Sequence, residues 1–411
     1  MKKFRMILGM VAVGSAMALS SCEKDPDPVD PVVTEDAVLK GSITANKTLT
    51  ADKIWTLSGR VFVESGATLT INPGTIIKAA GGTGENASVL IIAQGAKIMA
   101  EGTVDKPIVM TSVADDIKLN EKFGSNLNAS SIKGLWGGLI VLGKAPISPK
   151  TGDKAQIEGI PADVASGAYG GTDVADNSGV IKFLSIRFGG ALIGEGNEIN
   201  GLTLGGVGNQ TVIENVEIVG NIDDGIEFFG GSVNVKNAIV MYQGDDGYDV
   251  DQAYSGTLDN FMYIAGADSD HALEIDGPEG SANNTGSFTF KNGVLKGAVG
   301  EYADFRDGAR GTVQDCYFFG FDAAADLELD DDVSSANYIS GALKFSGLVF
   351  NPPAGVTLAT ISQDKAPMKN VNFATAFALN NSIGTTKPAG FNKAAFTGWS
   401  LASHLDLLSD F

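Results

Sequence analysis

The chain has 411 residues, with 49 Asp and Glu against 29 Lys and Arg and a formal net charge of −20. That balance opposes nucleic acid and anionic lipid as partners and suits divalent cations or neutral glycans. Two cysteines and two histidines set aside a cysteine-built zinc site and a His-based triad or zinc centre.

The N-terminus reads as an address. Lys2, Lys3 and Arg5 form a positive region, and Met6 to Leu19 an apolar run too short to span a bilayer as a mature helix. It ends in Leu19-Ser20-Ser21-Cys22, which resembles the lipobox of bacterial lipoproteins. The resemblance implies that residues 1–21 are a signal peptide, that Cys22 is lipidated, and that the lipid holds the protein to a membrane. Residues 22–36 continue as EKDPDPVDPVVTED after the cysteine, too rich in Pro and acid to pack a core, and read as an extended tether. Lysine and acid directly after Cys22 resemble the signal that sends lipoproteins of Bacteroidota to the outer face of the outer membrane. Surface display is the expectation, with periplasmic anchoring as the alternative. Cys316, in VQDCYFFGF, reads as a small core residue.

From residue 37 the chain alternates short β-branched and aromatic runs with Gly, Asn and Asp. TVIENVEIVGN, SVNVKNAIVMYQ, GTLDNFMYIAG, GSFTFKNGVLKG and GTVQDCYFFGF share one frame, with Asn215, Asn237, Asn260, Asn292 and Asp315 at one repeated position. A repeat of roughly 22–25 residues predicts an all-β, right-handed parallel β-helix whose Asn side chains stack in a turn. The first half aligns more loosely, at Gly66/Gly95, Leu69/Ile98 and Thr75/Thr103. SGATLTINPGT and EGTVDKPIVMTS resemble the opening coils of pectate-lyase-like β-helix proteins from bacterial surfaces. DNSGVIKFLSIRFGG, NGLTLGGVGNQT and DDGIEFFGG resemble a group of Bacteroidota β-helix lipoproteins with no established activity. Excursions at 114–134 and 148–179 are predicted to leave the solenoid and wall a cleft. Residues 37–340 are assigned to the β-helix and 341–411 to the last coils and a cap. Trp399, Leu401, Leu405 and Leu408 are expected to cover the final coil.

Acidic residues recur in the same frame. Ile226, Tyr248, Leu273, Phe305 and Leu327 are aligned as inward positions, followed by Phe228, Val250, Ile275 and Leu329. Alternation then sends one column outward as Glu227, Asp249, Glu274, Arg306 and Glu328, and the next as Phe229, Asp251, Asp276, Gly308 and Asp330. Asp223, Asp245 and Asp270 begin the strands, followed by Asp224, Asp246 and His271. Carboxylates stacked about 5 Å apart repel, by roughly 0.8 kcal/mol per pair even in water. They call for a cation, a shared proton, or donors from the backbone.

Three readings stand side by side. In the first, Asp249, Asp251, Glu274 and Asp276 bind Ca²⁺, and with Glu227 and Arg306 the face binds an extracellular glycan or envelope protein. In the second, NIDDG, QGDDG and DSDH are similar to the Asp-rich coils of polygalacturonase-type hydrolases. That resemblance implies catalysis by Asp223, Asp224, Asp245, Asp246 and His271, although His271 lacks the family's flanking glycines. A polysaccharide lyase is a variant of this reading, with Arg187 as the nearest base. In the third, the DDG turns are corner chemistry in a purely structural surface protein.

Overall fold

The computed structural model describes residues 37–192 and 199–411. The leader, Cys22 and the tether lie outside those residues. The described chain is a parallel β-helix, strands pairing in parallel from coil to coil. One small antiparallel hairpin, Lys154–Gln156 with Ala168–Gly170, stands apart in the second excursion.

The repeated Asn builds the corner. Val212–Val219, Asn234–Met241, Thr257–Ile264 and Phe288–Lys296 are long strands, each bent at one left-handed residue: Asn215, Asn237, Asn260 and Asn292, with φ of 57, 57, 58 and 59°. Asparagine tolerates that region at small cost. The pairing skips the bend, running Glu214↔Lys236 and then Val216↔Ala238. The amides stack as expected. Asn237 Nδ2 donates to Asn215 Oδ1 at 3.3 Å, and Asn260 Nδ2 to Asn237 Oδ1 at 2.6 Å. Asn292 instead donates to Asp259 at 2.7 Å.

A separate ribbon carries the acidic frame. It runs through Leu202–Gly205, Ile226–Phe229, Tyr248–Asp251, Leu273–Asp276, Ala303–Arg306 and Leu327–Leu329. Alternate residues, among them Ile226, Phe228, Tyr248, Val250, Leu273 and Ile275, are buried in one continuous core. Each such side chain contributes about 1.5–3 kcal/mol on leaving water. In the first half Leu69 pairs with Ile98 as expected, but Thr103 lies outside the strands and Ile76 pairs with Val109. Trp136 and Cys316 are core residues, and burial pushes the Cys316 thiol up to about 12.

The C-terminal segment departs from expectation. It does not sit on the last coil but runs back along the outside of the long strands. Phe396, Leu401, Leu408 and Phe411 share a buried cluster with Val219, Ile239, Met241, Met262 and Ile264. Trp399 meets Phe183 edge-on at 5.6 Å, while Leu405 is exposed. The reason lies in the long strands: past the bend Val219, Ile239, Met241, Met262 and Ile264 line the outer face, which needs a cover. Near the end of the rod, Phe373 and Phe377 pack on Phe345, and Phe377 also on Phe350.

Candidate binding face

The outward column begins as expected, with Glu227 paired to Asp249 and Asp249 to Glu274. At the next coil the sequence alignment slips by two residues, and it returns to the expected column at Glu328. Phe305 pairs with Ile275 rather than Leu273, so Asp304 stands beside Glu274 and Glu328 beside Asp304. Arg306 belongs to the neighbouring column and pairs with Asp276, the place expected for Gly308. Asp304 was missed by the sequence reading.

These carboxylates face away from the core yet are covered. Glu227, Asp249, Asp304 and Glu328 are 6, 8, 4 and 7% exposed. Arg306 compensates the middle of the ladder. Its Nη2 lies 2.5 Å from Glu274 Oε2, its Nε 2.6 Å from Asp276 Oδ1, and its Nη1 3.9 Å from Asp304 Oδ2. Lys365 serves the next coil, contacting Glu328 and lying 3.4 Å from Asp326.

The corner row uses backbone donors. Asp224 Oδ1 accepts the Asp246 N–H at 2.9 Å, and Asp246 Oδ1 accepts the His271 N–H at 2.6 Å. Asp246 Oδ1 also faces His271 Nδ1 at 2.9 Å. Burial disfavours a charged His271 ring, but the Asp246 bond and the surrounding carboxylates outweigh it and raise the ring to about 9. His271 is therefore an internal counter-charge. The five residues assigned to hydrolysis do gather here: Asp223, Asp224 and Asp245 form one group, and Asp246, His271 and Glu274 another. Donor atoms within each group lie within 4.8 Å of one another, closer than the roughly 6.5–9.5 Å of an inverting pair.

At the N-terminal end of the ladder, Asp224, Glu227 and Asp249 form no ion pair with Lys, Arg or His among the described residues. Burial, then Asp249 and Asp246 beside it, holds the Asp224 carboxyl well above the usual range. Burial and Asp249 do the same for Glu227, and burial with Asp251 and Glu274 for Asp249. Burial and Asp246 raise Asp245 to about 6, and burial and Asp276 raise Asp251 to about 7. The expected calcium quartet is split: Glu274 and Asp276 pair with Arg306, whereas Asp249 groups with Asp224 and Glu227.

The second excursion walls this end. Ile147, Ile157, Ile160 and Tyr169 pack with Leu142 and Phe229 on the outside of the ribbon. They leave a cleft of about 370 Å³ lined by Lys150, Gln156, Glu158, Tyr169, Asp251, Gln252 and Glu279. Tyr169 Oη donates to Gln252 Oε1 at 3.3 Å, Gln252 Nε2 to Glu279 Oε2 at 3.0 Å, and Lys150 lies 3.6 Å from Glu279. Of the cleft residues only Asp251 was singled out from sequence; for the others the polar, Gly-rich excursion was the available signal. His404 stacks on Phe123 at 4.3 Å in a recess of about 490 Å³ beside the first excursion.

The family comparison agrees with the coil geometry. A family model described as a pectate-lyase like beta helix domain matches residues 41–400. No curated protein matches the sequence. Among solved structures, the Dettilon tailspike protein (gp208) is similar at 10% identity and a TM-score of 0.31. The match covers 78% of this chain and spans 61% of that one, less than two thirds of its length. By the family match, the chain belongs to the pectate-lyase-like β-helix domain family.

Proposed function

We propose that this is a lipid-anchored surface protein that binds an extracellular glycan where the 148–179 excursion meets the acidic ribbon. The observation that carries the reading is the cleft with its linked Tyr169, Gln252, Glu279 and Lys150 beside Asp251. A concave site with a few convergent polar groups over an aromatic floor suits a hydroxyl-rich ligand. Carboxylates accept from sugar hydroxyls, while Lys150 and the Gln252 amide donate. The acidic surroundings favour a neutral glycan over a uronate.

The test is calorimetric titration of the lipid-free protein with panels of neutral and acidic oligosaccharides. Binding should weaken by about tenfold in Gln252→Ala and in Asp251→Asn, roughly the loss of one hydrogen bond to a charged group. Affinity unchanged in both variants sinks this site. A second reading is kept by the gathered Asp223, Asp224 and Asp245. Reducing ends released by the wild type but not by Asp245→Ala would make the protein a hydrolase.

A further inference from the structure

Arg187 ends the long strand Gly179–Arg187 and pairs with Val219, which pairs with Met241, and Met241 with Ile264. This outer column therefore starts on an arginine and continues as apolar residues of the cluster that holds the C-terminal segment. Arg187 is 1% exposed, as buried as the residues after it. A guanidinium taken out of water is costly unless a carboxylate or a full set of hydrogen bonds meets it.

Arg187 is met only in part. Its Nε donates to Ser185 Oγ at 2.8 Å, its Nη2 donates to the Lys122 carbonyl at 3.0 Å, and its guanidinium lies 5.4 Å from the centre of the Phe123 ring. Among the described residues Nη1 has no hydrogen-bond partner, and Arg187 forms no ion pair with Asp or Glu. Glu217 and Asp115 act on it through space, but both are engaged elsewhere. Glu217 accepts from the Leu401 and Ala402 N–H groups and the Ser185 hydroxyl. Asp115 Oδ1 accepts the Ile117 N–H at 2.9 Å, and its Oδ2 the Thr111 hydroxyl at 2.8 Å. Arg187 also lines a pocket of about 290 Å³ between the first excursion and the C-terminal segment. Ser125, Asn128 and His404 add polar groups to that wall, and Leu127, Phe188 and Leu401 give it an apolar side.

We propose that this pocket binds a small organic carboxylate, with its charged end on Arg187 and its hydrocarbon body against Leu127, Phe188 and Leu401. Nη1 has both hydrogens free, and Nη2 keeps one beyond that given to Lys122. The two terminal nitrogens can therefore hold a carboxylate in a forked pair, the geometry that guanidinium matches best. The apolar side favours an acid with a hydrocarbon body over inorganic phosphate, since covering that side removes apolar surface from water. The site sits on the long strands and not on the acidic ribbon, so it does not rest on the glycan reading.

The test titrates sodium hexanoate into the lipid-free protein, read by ligand-observed NMR and thermal unfolding, with hexanamide and sodium phosphate in parallel. Hexanoate should bind saturably and raise the unfolding temperature by mass action. Hexanamide keeps the shape without the charge, and phosphate the charge without the body; each should bind about tenfold more weakly or worse. Arg187→Met should abolish saturable binding. Arg187 also ties the excursion to its strand through Lys122, so a second variant separates binding from folding. Leu405 lines the pocket and is 44% exposed. Leu405→Glu should leave the unfolding temperature of the ligand-free protein unchanged while its carboxylate weakens hexanoate by about tenfold. No saturable binding of hexanoate to the wild type, binding of hexanamide or phosphate as tight as that of hexanoate, or affinity unchanged in both variants overturns the site.

Discussion

Arg306 reaches back one coil to Glu274, its Nη2 2.5 Å from Oε2. The same guanidinium holds Asp276 and approaches Asp304, so one cation compensates three carboxylates. Arg306→Gln should cost about 2 kcal/mol, less than the loss of a fully buried pair because the arginine side chain is 39% exposed. Urea unfolding of the two proteins checks this. An unchanged midpoint would mean that the three acids find protons or solvent without it.

The protein should lose stability as pH rises from about 4 to 9. Burial raises Asp304 to about 6 and Glu301 to about 7, and His271 is raised to about 9. Each binds its proton more tightly folded than unfolded. The stabilisation is complete below the unfolded pKa and is lost as pH climbs through the folded one. Thermal unfolding in EDTA across this range gives the slope, and a midpoint that rises with pH contradicts the assignment.

Glu217 is fully buried and accepts the backbone N–H groups of Leu401 and Ala402, both at 2.9 Å, and the Ser185 hydroxyl at 2.7 Å. Glu217→Gln places an NH₂ against donors and should destabilise by about 2–3 kcal/mol. Hydrogen exchange should rise first in 391–411. Exchange that rises evenly over the whole rod would argue against a local latch.

Asn237 carries two roles that glycine and alanine separate. Asn237→Gly keeps the left-handed corner at φ 57° but loses the amide stack. Asn237→Ala loses both and should be about 1 kcal/mol less stable than the glycine variant. Equal denaturation midpoints would show that the backbone conformation is not a strain point.

The solenoid was legible because Asn215, Asn237 and Asn260 recur at 22 and 23 residues in a frame that polarity alone reveals. The slip at Phe305 was not. Strand side chains repeat every two residues, so a two-residue shift leaves every side chain on its original face and the apolar pattern intact. Small Ala303, which truly partners Leu327, was passed over for the larger Phe305. The C-terminal segment showed its apolar residues but not their destination. The missed signal was AIVM and FMYI, unbroken apolar runs buried on both faces where a solvent-facing strand would alternate. The contact of Asn200 with Glu227 needed coordinates, since no spacing rule connects the two.

A repeat array whose coils touch only their neighbours melts by unzipping from its ends. The Glu217 to Leu401 bond, spanning 184 residues, closes that array into a circuit. Fraying of the final coils must then drag on a strand in the middle of the rod. During synthesis Leu401 emerges 184 residues after Glu217, so the middle strand stays unfastened until that later segment has been made. Long-range closure of this kind slows folding, and it gives a molecule made of repeats the all-or-none behaviour of a single globule.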